Sequence, residues 1–180
     1  LVMILQHSLV KALAAEMSIL EIVFFRTAIA VLFFLPWMLL SGLAIFRTER
    51  IGLHVLRATF QTFSAFGFFL GLAIVPLATV TALHFTTPIF AVLIGIFLLG
   101  ERVSVRRWSA ILAGFFGTLL ILRPGVATVG YGELLVLGSA VAWACAIIAI
   151  KVLSRADTSV TITAYMYVLM TPATLIAASF

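Results

Sequence analysis

Apolar residues come in long runs along this chain, and polar residues mark the ends of the runs. From Ala58 to Gly100 the chain passes 43 residues without an Asp, Glu, Lys or Arg. One helix of that length would measure about 65 Å, roughly twice the ~30 Å hydrocarbon core of a bilayer. The stretch must therefore cross twice. Pro76, near its middle, lacks an N–H and disfavours helix in the residue before it, so it marks the turn of a helical hairpin. A window of about 20 residues along the rest of the chain predicts a partial span before Leu13 and spans near 18–42, 56–75, 77–99, 104–123, 131–151 and 158–180. The charge-free part of the 104–123 span runs only from Trp108 to Leu122, so Arg123 must snorkel toward the headgroups. The expected class is an all-α membrane protein, a multi-span helical bundle.

Composition points the same way. Hydrophobic residues make up 64% of the chain and charged ones 9%, against about 45–50% and about 25% in soluble domains. Too few charged groups remain to cover a water-facing surface. The net charge of +5 does not make a nucleic-acid footprint, because the cations are few, separated and placed at the ends of apolar runs. They read as orientation signals. Arg47, Arg50, Arg57, Arg102, Arg106, Arg107, Lys151 and Arg155 fall on the connections that follow the even-numbered spans, while the alternate connections hold only Lys11 and Arg123. The eight-to-two bias places the former set, and the N-terminus, in the cytoplasm. Cys145 is the single cysteine, lies in an apolar run and reads as a small packing residue. The chain begins on Leu1 and stops at Phe180 inside an apolar run, so a fragment is expected. No charged segment followed by a small-residue cleavage site resembles a secretory signal.

Small residues recur at four-residue spacing, which lets helix backbones approach where lipid gives no hydrophobic drive for association. Gly67 and Gly71, Ala110 with Gly114 and nearby Gly117, and Gly138, Ala142 and Ala146 are expected packing faces, static or sliding. A shift of 140 residues lays Lys11 on Lys151, Ser18 on Thr158, Ile22 on Ile162, Phe25 on Tyr165 and Leu35 on Leu175. Five spans separate the copies, and an odd-numbered unit repeats upside down, as in many secondary transporters.

Polar groups at membrane depth are costly and are functional candidates by default. Arg26 lies about 12 Å into its span, too deep for easy snorkelling. It either bonds carbonyls of neighbouring helices or lines a substrate path. The 77–99 span carries Thr79, Thr81, His84, Thr86, Thr87 and Pro88. Pro88 deprives the His84 carbonyl of its usual donor, so a kink and a polar, cavity-lining face are expected. Each Thr hydroxyl can instead bond its own helix, and His84 can be a satisfied core histidine rather than a proton relay. Arg57, Gln61 and Ser64 share one helical face and form a candidate inner wall. Ser139, Trp143 and Tyr165 are candidates for the same space, with the aromatics suited to planar or cationic ligands or to plain packing.

Enzyme signatures are lacking. His7, His54 and His84 have no carboxylate or thiol at metal-ligand spacing, and no phosphate loop, dinucleotide fingerprint or serine elbow is present. Neither a metal, a cofactor nor a catalytic residue is expected.

Pro88 in mid-span, Gly100-Glu101 closing it, Trp108, Gly114 and Gly117, and Arg123-Pro124-Gly125 resemble the EamA family of the drug/metabolite transporter superfamily. Arg26, Lys11, Lys151, Gly132 and Trp143-Ala144 fit the same pattern. The resemblance covers essentially the whole chain. It implies a ten-helix carrier of two inverted five-helix repeats, moving small metabolites across the bacterial inner (cytoplasmic) membrane by alternating access. Residues 1–125 would form the first repeat, without the start of its first helix, and 126–180 two helices of the second. Expected partners are a small-molecule substrate and the lipid bilayer, with no nucleic acid and with a homodimer as one assembly to test. The competing reading is a non-transporting membrane subunit or scaffold that uses the same packing faces.

Overall fold

The computed structural model describes residues 19–42, 46–122 and 130–178. The partial first span, Lys11 and the Arg123-Pro124-Gly125 sequence lie outside the described residues. Among those described there is no strand, and seven helices follow one another: α1 (Ile19–Ser41), α2 (Ile51–Ile74), α3 (Leu77–His84), α4 (Thr87–Leu99), α5 (Val105–Leu122), α6 (Tyr131–Leu153) and α7 (Ser159–Ala178). The segments Ile51–Ile74, Leu77–Leu99, Tyr131–Leu153 and Ser159–Ile176 are each long and apolar enough to cross a membrane. Within α5 the apolar stretch is shorter, Trp108–Gly117.

Local chemistry sets the boundaries. α2 starts at Ile51 because the Arg50 carbonyl accepts the N–H of Leu53 at 2.9 Å and of His54 at 3.3 Å. Arg57 is therefore a residue of the helix rather than of the preceding connection, which corrects the span start at 56. α2 ends before Pro76, whose extended backbone (φ −55°, ψ 139°) opens α3. The Leu77–Leu99 segment breaks at Phe85–Thr86, where Thr86 N–H donates to the Leu83 carbonyl at 3.0 Å and Ile89 N–H to the Thr86 carbonyl at 2.9 Å. Pro88 sits in the first turn of α4, a place where its missing N–H costs nothing. The break thus falls just before the proline, where its ring disfavours continued helix. α4 closes on Gly100, whose left-handed backbone (φ 63°) turns its N–H back to the Ile96 carbonyl.

The described residues divide into two compact units. One combines residues up to Thr62 with those from Ala149, and the other runs from Phe63 to Ile148. In the first, α1 packs along α7. In the second, the later half of α2 lies against α6. A Cβ built at Gly67 would stand 3.1 Å from Ser139 Cβ, one at Gly71 would overlap Val136, and one at Gly132 would overlap Val75. α5 packs on α3 and α4. A Cβ at Gly114, Gly117 or Gly138 meets no described atom within 4 Å. Spacing marks a face that can accept a neighbour, and close approach among the described residues occurs at the α2–α6 face.

Polarity along α2 is inverted relative to a water-soluble helix. Ile51 is 56% and Phe63 67% exposed, whereas His54, Arg57 and Gln61 are 1%, 6% and 8% exposed. Phe33, Leu40, Phe97 and Leu98 on other helices are also exposed. Apolar surface on this scale has no stable home in water and suits contact with lipid tails.

Candidate functional site

The densest polar constellation among the described residues lies in the first unit, where the connection before α2 meets the connection before α7. Thr158 ends the latter by capping α7: its hydroxyl accepts the Thr161 N–H at 3.2 Å and its carbonyl the Ile162 N–H at 3.0 Å. This fixes the preceding residue, Asp157, whose own N–H is held by the Leu153 carbonyl at 2.9 Å. Asp157 Oδ2 then accepts from two groups, the Thr48 hydroxyl at 3.0 Å and His54 Nε2 at 3.0 Å. Thr48 is itself anchored by accepting the Arg50 N–H at 3.0 Å. Arg50 Nη1 reaches across to the Val152 carbonyl at 3.3 Å.

Tyr165 of α7 backs this pair. Its ring stacks on His54 with centroids 4.4 Å apart, meets Phe46 edge-on at 5.5 Å, and its hydroxyl donates to the Phe46 carbonyl at 2.8 Å. Phe46, Arg47, Thr48, Glu49, Arg50, Ala156 and Asp157 line an open recess of about 730 Å³. Asp157 thus borders open space on one side and closes on a buried histidine on the other.

Beyond His54, the same face of α2 continues inward with Arg57 and Gln61. Arg57 Nη1 donates to the Ile162 carbonyl at 2.8 Å and Nη2 to Met166 Sδ at 3.4 Å, while its Nε finds no partner among the described residues. The Gln61 Oε1 and His54 Nδ1 atoms are likewise buried without a partner. Three successive polar side chains on one face, each with an unused hydrogen-bonding atom, are unusual in an interior where such atoms are normally satisfied.

The residues proposed from sequence distribute over both units. In the first are Arg26, Gln61 and Tyr165. Arg26 is exposed in the bare chain, within electrostatic reach of Tyr167. The second holds Ser64, His84, Thr86, Thr87, Pro88 and Trp143. There His84 meets Phe68 edge-on at 4.9 Å, Ser64 is buried and Trp143 half-buried. Thr86 donates to the Leu83 carbonyl at 2.6 Å, and Thr81 to the Leu77 carbonyl at 2.8 Å. Thr87 Oγ1 is buried and unpartnered, so of these hydroxyls it is the one not consumed by its own helix. Gly95 of α4 lies under the Glu101 carboxylate and Ile148.

From sequence, His54 has no carboxylate at close spacing, and the structure gives it Asp157. They stand 103 residues apart, so no local spacing links them. One signal did exist, since the cation bias puts both connections on the same side of the membrane. Among the described residues no group of three or more His, Cys, Asp or Glu side chains could hold a metal ion.

Comparison with known proteins adds relatives to this geometry. The model of the EamA-like transporter family matches residues 7–123. A riboflavin transporter of Rhizobium johnstonii is 36% identical over 149 residues, 83% of this chain and 49% of the relative. An S-adenosylmethionine uptake transporter of Rickettsia prowazekii is 31% identical over 114 residues, 63% of this chain and 39% of the relative. A pseudopaline exporter of Pseudomonas aeruginosa is 31% identical over 118 residues, 66% and 41% of the two chains. The chain spans about half or less of the length of these relatives. No solved structure gives a significant match.

Proposed function

Because the chain belongs to the EamA-like transporter family, a family of multi-pass membrane proteins, we propose that its protein is a secondary carrier for a small, flat heteroaromatic metabolite. The observation that carries this reading is the inverted polarity of α2, with His54, Arg57 and Gln61 inward and Ile51 and Phe63 outward. A helix that only anchors a protein in lipid has no need of such a face. Relatives are named for riboflavin and S-adenosylmethionine. Both compounds contain planar heteroaromatic rings, and the Phe46, His54 and Tyr165 rings already lie against one another.

Carriage proceeds by alternating access in the bacterial cytoplasmic membrane, with the N-terminus in the cytoplasm. With Arg57, Arg106, Arg107 and Lys151 inside helices, Arg47, Arg50, Arg102 and Arg155 remain on those connections against Lys11 and Arg123, and the cation bias keeps its sense. At the recess the Asp157 carboxylate ties the connection before α2 to the one before α7. Opening that end requires the tie to part. Residues 1–125 form the first inverted repeat and 126–180 begin the second. This division is supported by the family match ending at residue 123 and by the packing of α1 on α7, the two helices related by the 140-residue offset. Path residues of the first unit are Arg26, Gln61 and Tyr165; those of the second are Ser64, His84, Thr86, Thr87, Pro88 and Trp143.

Vesicles containing the full-length protein test the proposal with labelled riboflavin and labelled S-adenosylmethionine, offered from either side. One of the two is expected to cross faster than in protein-free vesicles, with Arg26→Ala and His84→Ala each lowering the rate about tenfold, the effect of losing one hydrogen bond at a binding site. Movement of neither compound in either direction contradicts the proposed cargo. Full rates in both variants contradict the path.

A further inference from the structure

We propose that Arg57, with Gln61 beside it, is a binding site for an anionic group, a carboxylate or phosphate, reached from the recess at Asp157. The inference rests on the carrier reading above. Arg57 is more than nine-tenths buried, yet among the described residues no carboxylate pairs with it. Its partners are one carbonyl and one thioether, and Nε is left over. Burying a guanidinium without a counter-charge is costly, and helix-to-helix anchoring alone is served as well by a neutral donor. A guanidinium with an unused N–H is also the group that pairs best with a carboxylate or phosphate.

Gln61 lies one turn further along the same face, its Oε1 buried and unpartnered. Rotation of that amide about its last bond exchanges oxygen for NH₂, which adds a second donor next to Arg57. The recess lies at the near end of this face: Asp157 is part of its lining, Asp157 meets His54, and Arg57 is the next polar residue on that face of α2, so access requires the Asp157–His54 contact to part. Asp157, which shares the recess lining with Glu49, is spent on His54 and Thr48 rather than on Arg57. An arriving anion supplies the charge that the resting conformation lacks, so its binding favours the conformation in which Arg57 leaves the Ile162 carbonyl.

The test uses full-length protein in detergent micelles and the arginine reagent phenylglyoxal, with modification of Arg57 mapped by mass spectrometry. The probes are inorganic phosphate, riboflavin 5′-phosphate and riboflavin, against potassium chloride at matched ionic strength. Slow modification of Arg57 in chloride is expected, slowed a further roughly tenfold by a phosphate probe at ten times its dissociation constant. Protection by riboflavin 5′-phosphate but not by riboflavin or inorganic phosphate places the anion on the cargo. Protection by inorganic phosphate as well identifies a site open to free anions. In both cases Arg57→Lys is expected to keep the phosphate-dependent rise in melting temperature and Arg57→Gln to lose it. An Arg57 that never reacts, or that reacts equally in chloride and in both phosphate probes, overturns the proposal and leaves a helix clamp. Transport of riboflavin or S-adenosylmethionine without protection of Arg57 refutes this site alone, and protection without transport of either refutes the heteroaromatic cargo alone.

Discussion

Replacing Asp157 by alanine is expected to destabilise the protein by about 2–3 kcal/mol, with Asp157→Asn costing roughly half as much. Alanine leaves His54 Nε2 and the Thr48 hydroxyl without their common acceptor, and His54 is buried where water cannot replace it. Asparagine retains one carbonyl oxygen that can serve either donor. Because His54 also stacks on Tyr165, its reorientation disturbs the hydroxyl bond to Phe46 and loosens the connection before α2. Denaturation of the full-length protein in mixed micelles measures the effect. The double variant with His54→Ala should be less destabilised than the sum of the singles, by about 1–2 kcal/mol of coupling. Additive losses would mean that the two residues act independently.

Gly71→Leu is the second large effect. Gly71 faces α6 so closely that even a Cβ would overlap Val136 and stand 3.4 Å from the Gly132 carbonyl. Three further carbons have no volume to occupy, so α2 and α6 must separate, at a cost of about 3 kcal/mol or more. Reduced accumulation in membranes and a lower midpoint in micelles are expected. Gly138→Ala is the control: a Cβ there meets no described atom within 4 Å, and replacing a helix-interior glycine by alanine gains about 0.5–1 kcal/mol. If the two variants behaved alike, the α2–α6 contact would not be a packing seam.

Much of the fold is written in the sequence because lipid imposes simple rules. The charge-free run from Ala58 to Gly100 and Pro76 define a hairpin before any contact is known. The apolar runs also place α1, α6 and α7 within a few residues. The start of α2 was harder to see, because Arg57 looks like a loop residue when charge is equated with water. Its burial depends on the Ile162 carbonyl, 105 residues away. Pro88 predicts a kink within one helix; the segment instead divides at Phe85–Thr86, because the proline sits in the first turn of a second helix.

The candidate site is less legible for the same reason. Helical spacing alone put Arg57 and Gln61 on one face. Nothing local joins Asp157 to His54, since that meeting requires two connections far apart in sequence to arrive at the same end of the first unit. Conversely, of the four threonines that make the Leu77–Leu99 segment look polar, Thr81 and Thr86 spend their hydroxyls on carbonyls of the same segment, whereas the buried Thr87 Oγ1 has no partner among the described residues.

The central claim is that α2 turns its polar face inward and its apolar face to lipid. Spin labels on single cysteines, introduced one at a time along α2 of the full-length protein after Cys145→Ser, test it in a reconstituted bilayer. Labels at Ile51, Val55, Leu56 and Phe63 are predicted to collide with lipid-dissolved oxygen, and labels at Arg57 and Gln61 to be shielded from it while coming into reach of a water-soluble nickel chelate when the Asp157 tie parts. Equal oxygen access all round the helix, or greatest access at Arg57 and Gln61, would contradict the account.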